Sequence, residues 1–536
     1  MMSWAPNQPP KWQEQLRTRL FNTFSAYRRG LDLQDVDAPQ QLPLQGAPLE
    51  VYFPHVRVMP QPFTLSERDK FNLDKHDDER WVPDEFKVPW RQARALRDHF
   101  VFQFPGLKYN KCLGWGGNGL AALFDDCDQL GNRIRSVVVK MVYSENASVA
   151  MKIETDNLRR YEGAEHLLQI LYAPSPEKGQ HEPNSSTEQP KLSCFITEMV
   201  ENGDMAHFIA KVVVNKETIP NAILWRFLLC FVRMCTGLAY PPKSIQELKG
   251  HSAPVKEAIP TDPNVQPTRF VHFDFDPRNI FIGNLMADGE HYLSPLLKLG
   301  DFGLGQNVKG DRENIYYERL RQFGKFFYYA PEQFCADWDY IEPNDGLIQA
   351  RKYPVAGNYG VHTNLWAVGL VMECLITLCQ PRMPPTPSVV NHSGFEYYSY
   401  GGHLRDPAFS HVDPDLITLV MGLQAHYPIN RPTLVDLDVE RVIEMKGNCG
   451  KTDMELLEWM HRILYDVPPA SSAMQGVQLT GAKTPLPEII GAPIVNPGVD
   501  FQGRVSVRQR QLHSLHRVQS GSIHRLTDRH RHRHRH

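Results

Sequence analysis

Apolar positions along this chain fall into two regimes. From Gly106 to about Met199 they come in short, strand-like runs: Leu107 to Leu113, Ala121 to Phe124, the β-branched Arg135 to Tyr143, Leu167 to Ala173, and Lys191 to Met199. One helical stretch interrupts them, Lys152 to Tyr161, with Ile153, Leu158 and Tyr161 on its buried side. From Asn221 onward the spacing turns helical. Leu224, Phe227, Leu228, Phe231 and Cys235 line one face of Asn221 to Tyr240. Leu365 to Cys379 is apolar nearly all round, with Glu373 inside it, and reads as a buried helix; Asp413 to Leu423 and Thr452 to Tyr465 follow. The pattern predicts an α+β protein, β-rich first and α-rich second.

Outside these runs the pattern fades. Residues 1–104 are rich in proline and charge and predict a poorly ordered or extended arm that packs on the next domain. Within it, Ser66 to Arg80 reads as a solvated stretch. Trp12, Leu16, Leu20, Phe24 and Tyr27 have helical spacing with arginines between, which fits a docking helix or a frayed terminus better than a targeting presequence. Pro174 to Pro190, Pro241 to Thr268 and Ala336 to about Tyr359 read as inserted loops.

Composition sharpens this only at the end of the chain. The net charge of −3 points to no partner, but Phe501 to His536 carry nine arginines and one aspartate, so a +8 tail hangs from a body of −11. That tail ends His-Arg-His-Arg-His-Arg-His and reads as disordered; it suits nucleic acid, an acidic partner or a nickel or zinc ion, or is merely solvated. Nine scattered cysteines, without a Cys-x-x-Cys pair, read as reduced thiols of an intracellular protein, cytoplasmic or nuclear. No apolar run looks long enough to span a bilayer, and no membrane is expected as a partner.

Candidate chemistry lies at the joints between elements. Gly114, Gly116 and Gly119 punctuate a turn between two strands and would let backbone amides approach phosphate oxygens. Lys140 sits inside the Val137-Val138-Val139 strand. It either needs an anionic partner or reaches water from an edge, and Glu154 is the natural partner. In His272-Phe273-Asp274-Phe275-Asp276-Pro277-Arg278-Asn279, Asp274 can take or orient a hydroxyl proton and Asn279 can ligate a metal through its amide oxygen; in isolation the stretch also reads as a polar turn between two strands. Asp301 offers a second acid in Asp301-Phe302-Gly303.

Together these motifs resemble, in order and over about 360 residues, the eukaryotic protein kinase superfamily. The Leu-Gly-Trp-Gly-Gly and His-Phe-Asp-Phe-Asp-Pro-Arg-Asn stretches are similar to a divergent filamentous-fungal group. The resemblance implies a bilobal fold over 105–466, with a β-rich lobe at 105–200 and a helical lobe at 201–466, a tail at 467–536, and transfer of the γ-phosphate of ATP to a protein substrate with Mg²⁺. It implies that Lys140 holds the α- and β-phosphates, Glu154 orients Lys140, Asp274 is the base, and Asn279 and Asp301 hold magnesium. Adenine would lie between Ala121 and Val138 on one face and Phe281 on the other. Thr197 would stand behind it, the backbone of Glu198 and Val200 would bind its edge, and Asp204 would face the ribose. Ala330-Pro331-Glu332 and Arg431 match the buried ion pair that closes such an activation segment.

Four positions depart from the family. Phe273 replaces the arginine that reads an activation-segment phosphate. Asp276 stands where serine/threonine kinases put a lysine, and Lys325 where they put a threonine, so Lys325 joins the catalytic candidates. Asn364 replaces the aspartate that anchors the catalytic loop. Pro277 is closer to the serine/threonine enzymes and Arg278 to the tyrosine enzymes; a Ser/Thr acceptor is favoured. A pseudokinase scaffold and a small-molecule phosphotransferase remain as alternative functions.

Overall fold

The structure is a computed structural model. It describes residues between 59 and 465, except 65–70, 105, 116–118, 143–146, 174–192, 245–253, 311, 336, 339–340, 342–352 and 393–394. The expectations for Lys11 to Arg29, Pro174 to Pro190 and the basic tail lie outside the described residues.

The chain is α+β. Helix α1 spans Asp84–Gln103, then β1 Leu107–Trp115, β2 Leu120–Cys127, β3 Arg133–Val142, α2 Ala147–Arg160, β4 Ile170–Tyr172 and β5 Ser193–Glu198. The strands form one antiparallel sheet in the order β1-β2-β3-β5-β4. In β2 and β3 side chains alternate between the two faces. Leu120, Ala122, Phe124, Val137, Val139 and Met141 form one buried face, in a common cluster with Ala93, Leu96 and Phe100 of α1. The opposite face carries Ala121, which pairs with Lys140, and Leu123, which pairs with Val138.

Helix α1 corrects the expectation of an extended or poorly ordered stretch. Its buried stripe is Pro89, Ala93, Leu96 and Phe100, one residue per turn, and Asp84 and Glu85 in its first turn suit the helix dipole. Two of the four are small or a proline, and Val88 and Val101 are exposed, so the amphipathic signal is faint. The segment before it also packs: Asp74 accepts hydrogen bonds from the Tyr109 hydroxyl at 2.7 Å and the Cys112 N–H at 2.8 Å on β1.

The second half is helical. It comprises α3 Met205–Val214, α4 Asn221–Ala239, α5 Asn314–Leu320, α6 Pro331–Phe334, α7 Val361–Thr377, α8 Pro414–Leu423, α9 Val439–Lys446 and α10 Asp453–Tyr465. Short ladders pair β6 Phe270–Val271 with β9 Gln306–Asn307, β7 Ile280–Ile282 with β8 Leu297–Leu299, and β10 Ser388–His392 with β11 Phe395–Ser399. Helices α4 and α7 pack together in the largest apolar cluster, through residues such as Phe227, Phe231, Val368 and Val371. Among the described residues α4 is the one helix long and apolar enough to cross a bilayer, which corrects the expectation that no run qualifies; 89% of that window is buried inside the protein, as in the central helix of a packed core.

Candidate functional site

Antiparallel pairing assembles the site. Asn279 immediately precedes β7 and Asp301 follows β8 by two residues, so the Ile280–Leu299 pairing brings both to one end of the ladder. The Gly300 N–H donates to the Asn279 carbonyl at 2.9 Å. A Cβ on Gly300 would lie 2.5 Å from the Phe281 ring, so this position needs glycine. Asp301 and Phe273 both adopt left-handed backbone, at φ 58° and 60°, a cost of about 1–3 kcal/mol each that concentrates at working sites.

Lys140 reaches this end from β3. Its Nζ lies 2.8 Å from both carboxylate oxygens of Glu154 on α2 and 3.1 Å from Asp301 Oδ1. Burial alone would lower the Lys140 pKa, but the charges of Asp301 and Glu154 outweigh it and the ammonium is held above its usual range. Asp301 is held below the carboxylate range, since its burial is outweighed by Lys140.

The loop from His272 to Asn279 supplies the other acid. Asn364 on α7 anchors it: its Oδ1 accepts the His272 N–H at 3.0 Å and its Nδ2 donates to the Phe270 carbonyl at 2.8 Å. The second bond needs an amide and is closed to an aspartate. Asn279 Nδ2 donates to the Asp274 carbonyl at 2.7 Å and to Asp274 Oδ2 at 2.9 Å. That fixes the amide and leaves Asn279 Oδ1, like Asp274 Oδ1, buried with no hydrogen-bond partner among the described residues. Burial pushes the Asp274 carboxyl up to about 7; Lys325 opposes the shift while Asp276 and Asp301 add to it.

Lys325 enters from the segment after Asp301. Its Nζ is 2.5 Å from Asp276 Oδ2 and 3.7 Å from Asp274 Oδ2. Asp276 Oδ1 accepts the Arg278 N–H at 2.9 Å, so both oxygens are occupied. Burial would lower the Lys325 pKa, yet Asp274 and Asp276 hold it up. The cluster sets the carboxylates of Glu154, Asp274, Asp276 and Asp301 against the ammoniums of Lys140 and Lys325. The excess negative charge and the unpartnered Asn279 Oδ1 beside Asp274 fit a divalent cation with oxygen ligands.

Around this centre Ala121 pairs with Lys140, and Val138 lies between Leu123 on β2 and Thr197 on β5. Ala121 and Val138 therefore share the Lys140 face. Thr197 is buried. Glu198 accepts from Lys298 Nζ at 2.8 Å through its side chain, and Val200 is buried just beyond β5. Phe281 pairs with Lys298 and bridges to Asp204. Gly114 pairs with Ala121 and Gly119 is buried, while Gly116 lies outside the described residues. Asp204 does more than the resemblance implies: its Oδ1 caps α3, accepting the His207 N–H at 2.9 Å, and its Oδ2 is buried without a partner among the described residues.

Three features escaped the sequence reading. Asn157, one helical turn after Glu154, donates to the Phe302 carbonyl at 3.0 Å and the Gly305 carbonyl at 3.1 Å, tying α2 to the Asp301 turn; its spacing from Glu154 was the available signal. Phe273 packs edge-on against Phe323 at 5.7 Å and Tyr359 at 5.4 Å, within an apolar cluster containing Tyr317, Leu320 and Trp338. Gly324, at φ 96°, comes so close that an added Cβ would sit 2.0 Å from the Phe273 carbonyl oxygen. Farther off, Arg431 grips Glu332 with two parallel bonds of 2.7 and 2.8 Å, both side chains fully buried.

No family model matches the chain. A stretch of 69 residues is 35% identical to the serine/threonine-protein kinase VIK of Arabidopsis thaliana, covering 13% of this chain and 14% of that protein. The likeness supports a kinase-like relationship over a small part of both chains.

Proposed function

We propose that this chain is a protein kinase, with residues 105–200 and 201–466 as its two lobes, that transfers the γ-phosphate of ATP to a protein hydroxyl, serine or threonine by preference. The observation that carries the reading is the single buried cluster in which Lys140, bound to Glu154 and Asp301, meets Asp274 and an Asn279 whose Oδ1 has no partner among the described residues. Magnesium-bound ATP, when present, supplies the phosphoryl group and a divalent charge to balance it. Asn279 Oδ1 and Asp301 would hold the metal, and Lys140 the phosphates. Asp274 Oδ1 accepts the proton of the acceptor hydroxyl, while Oδ2 stays fixed by Asn279 Nδ2. Lys325, held by Asp276, supplies the positive charge that the family draws from the Asp276 position. Ala121, Val138 and Phe281 would clamp adenine, with Thr197 behind it. The free thiols of all nine cysteines fit a reducing compartment, cytoplasm or nucleus.

One observation favours a second reading, a nucleotide-binding scaffold: the Lys325 ammonium lies 3.7 Å from Asp274 Oδ2 and so competes for the base. The test is a pair of measurements on the full chain and on Asp274→Asn: thermal shift with ATP and magnesium, then phosphate incorporation into the chain and a generic protein substrate. Binding with incorporation lost in Asp274→Asn is expected. Binding without incorporation would favour the scaffold, and absence of both would overturn the proposal.

A further inference from the structure

On the far side of the β7–β8 ladder, three residues remote in sequence meet in the core. His166 precedes β4, Cys230 lies on α4, and His291 lies between β7 and β8. They are 0%, 1% and 3% exposed, and one ligand atom from each lies within 4.8 Å of the others. Nothing in the proposed phosphotransfer uses them.

Their polar atoms converge on one another. His166 Nδ1 lies 2.7 Å from Glu257 Oε2, a carboxylate that also accepts the His166 backbone N–H at 2.7 Å through its other oxygen. That contact makes Nδ1 the donor, so in the neutral ring the lone pair lies on Nε2. Apart from the Cys230 thiol beside them, His166 Nε2 and both ring nitrogens of His291 are buried with no hydrogen-bond partner among the described residues. A neutral imidazole carries one N–H that must find an acceptor, so a fully buried His291 that faces only a weakly accepting thiol is costly as a mere core residue. A fourth candidate atom stands beside His166. Glu290 Oε1, also buried and unpartnered among the described residues, is 3.9 Å from His166 Nε2, while its Oε2 is held by Lys256 at 2.7 Å and Arg233 at 3.3 Å.

We propose that His166 Nε2, Cys230 Sγ, a His291 ring nitrogen and Glu290 Oε1 bind a structural zinc ion. The donors are one thiolate, two imidazoles and one carboxylate, the mix that suits zinc. Tetrahedral bonds of about 2.0–2.3 Å place ligand atoms about 3.3–3.8 Å apart, so metal binding draws the three atoms in from within 4.8 Å of one another and brings Glu290 Oε1 in from beside His166. Glu257 is the outer carboxylate that orients a ligating histidine. The site also accounts for the Pro241 to Thr268 insertion, which phosphotransfer leaves unexplained. Val255 in that insertion bonds back to Gly163 and Glu165, and Glu257 and Lys256 buttress two of the ligands, so the ion pins the insertion to α4. It also lies close behind the catalytic cleft, since Leu299, two residues before Asp301, pairs with His166 and Leu168.

The test uses full-length protein grown with zinc, purified without a metal-affinity column and dialysed against a weak chelator. Wild type is expected to retain about one zinc per chain by mass spectrometry. Cys230→Ser and His291→Asn should each lose it, while replacing His530, His532, His534 and His536 by Ala should not. Because a ligand variant can fail to fold, cobalt is also exchanged into wild type, where a near-ultraviolet thiolate-to-cobalt band is expected and a strong chelator should lower the melting temperature. Zinc held equally by wild type and Cys230→Ser, zinc lost with the tail histidines alone, or a cobalt form without the thiolate band would each overturn the proposal. None of these readouts depends on phosphate transfer.

Discussion

The two faces of the β2–β3 ribbon are built from alternate residues of the same strands, yet they do opposite things. One face, Leu120, Ala122, Phe124, Val137, Val139 and Met141, is closed by α1 through Ala93, Leu96 and Phe100. The other, Ala121, Val138 and Lys140, looks toward Glu154 and Asp301. The first is apolar throughout and adds cohesion by burial. The second sets a lysine among carboxylates, with Ala121 paired to it and Leu123 paired to Val138 on the same face. A one-residue slip in register would exchange the two sets, so the cover on one face also fixes the chemistry on the other.

If that division holds, damage to each face has its own signature. The largest effect belongs to the covered face. Phe100→Ala should destabilise the protein by about 3–5 kcal/mol, as buried aromatic truncations do, lowering the denaturant midpoint while turnover well below the melt is retained. Equal loss of turnover per folded molecule would show that α1 serves the site directly.

The cleft face should behave the other way. Asp274→Asn should lower turnover by about 10²-fold, roughly 2.7 kcal/mol of barrier, without lowering the melting temperature at pH 8. The sign follows from its carboxyl, which rises to about 7 in the fold from near 4 in the unfolded chain. As pH climbs through that window the unfolded chain ionises first, so stability falls; the amide removes that loss. A marked fall in melting temperature would mean Asp274 is held for structure.

A smaller effect is a shift in pH dependence. The acid limb of kcat/KM should reflect Asp274. Lys325→Ala removes a cation that lowers its pKa and should move the limb to higher pH; Asp276→Asn removes an anion that raises it and should move the limb lower. Limbs that stay put in both variants would separate Lys325 and Asp276 from the base. The smallest effect is expected from exchanging Ala121 and Val138. The double change Ala121→Val with Val138→Ala conserves volume and should cost under about 1.5 kcal/mol of stability, with KM for ATP near normal, whereas Ala121→Val alone should raise KM. Additive single effects would indicate that the two side chains do not share one surface.

The cleft was far more legible in the sequence than its support. Lys140, Glu154, Asp274, Asn279 and Asp301 stood out through their motifs and through the family resemblance that those motifs carry in order, and the structure brings their side chains together. The Glu332–Arg431 pair was legible only through the family resemblance that implies it, and the structure buries it as a two-bond ion pair. Helix α1 was not, because Pro89 and Ala93 occupy half of its buried stripe and its remaining turns are charged. The His166, Cys230 and His291 cluster was invisible, since its members lie on three separate elements with no local spacing. Asp204 was half legible, its capping bond being local to α3 and independent of any ribose.

The position of Lys325 carries a consequence of another kind. A lysine on the Asp276 loop would be present in every conformation of the segment 306–330. Here that loop keeps only the acid, and the ammonium arrives on the segment itself, beside a Gly324 that fits against Phe273 with no room for a methyl group. On the kinase reading, seating the segment and balancing the charge are therefore one event. The device works as a two-key lock with both keys on one ring: a segment that swings away takes the cation with it and leaves Asp276 and Asp274 to repel an incoming phosphate. Since Phe273 packs against Phe323 and Tyr359, the same reading predicts that the ring turns on side-chain fit, with phosphatase treatment leaving activity unchanged.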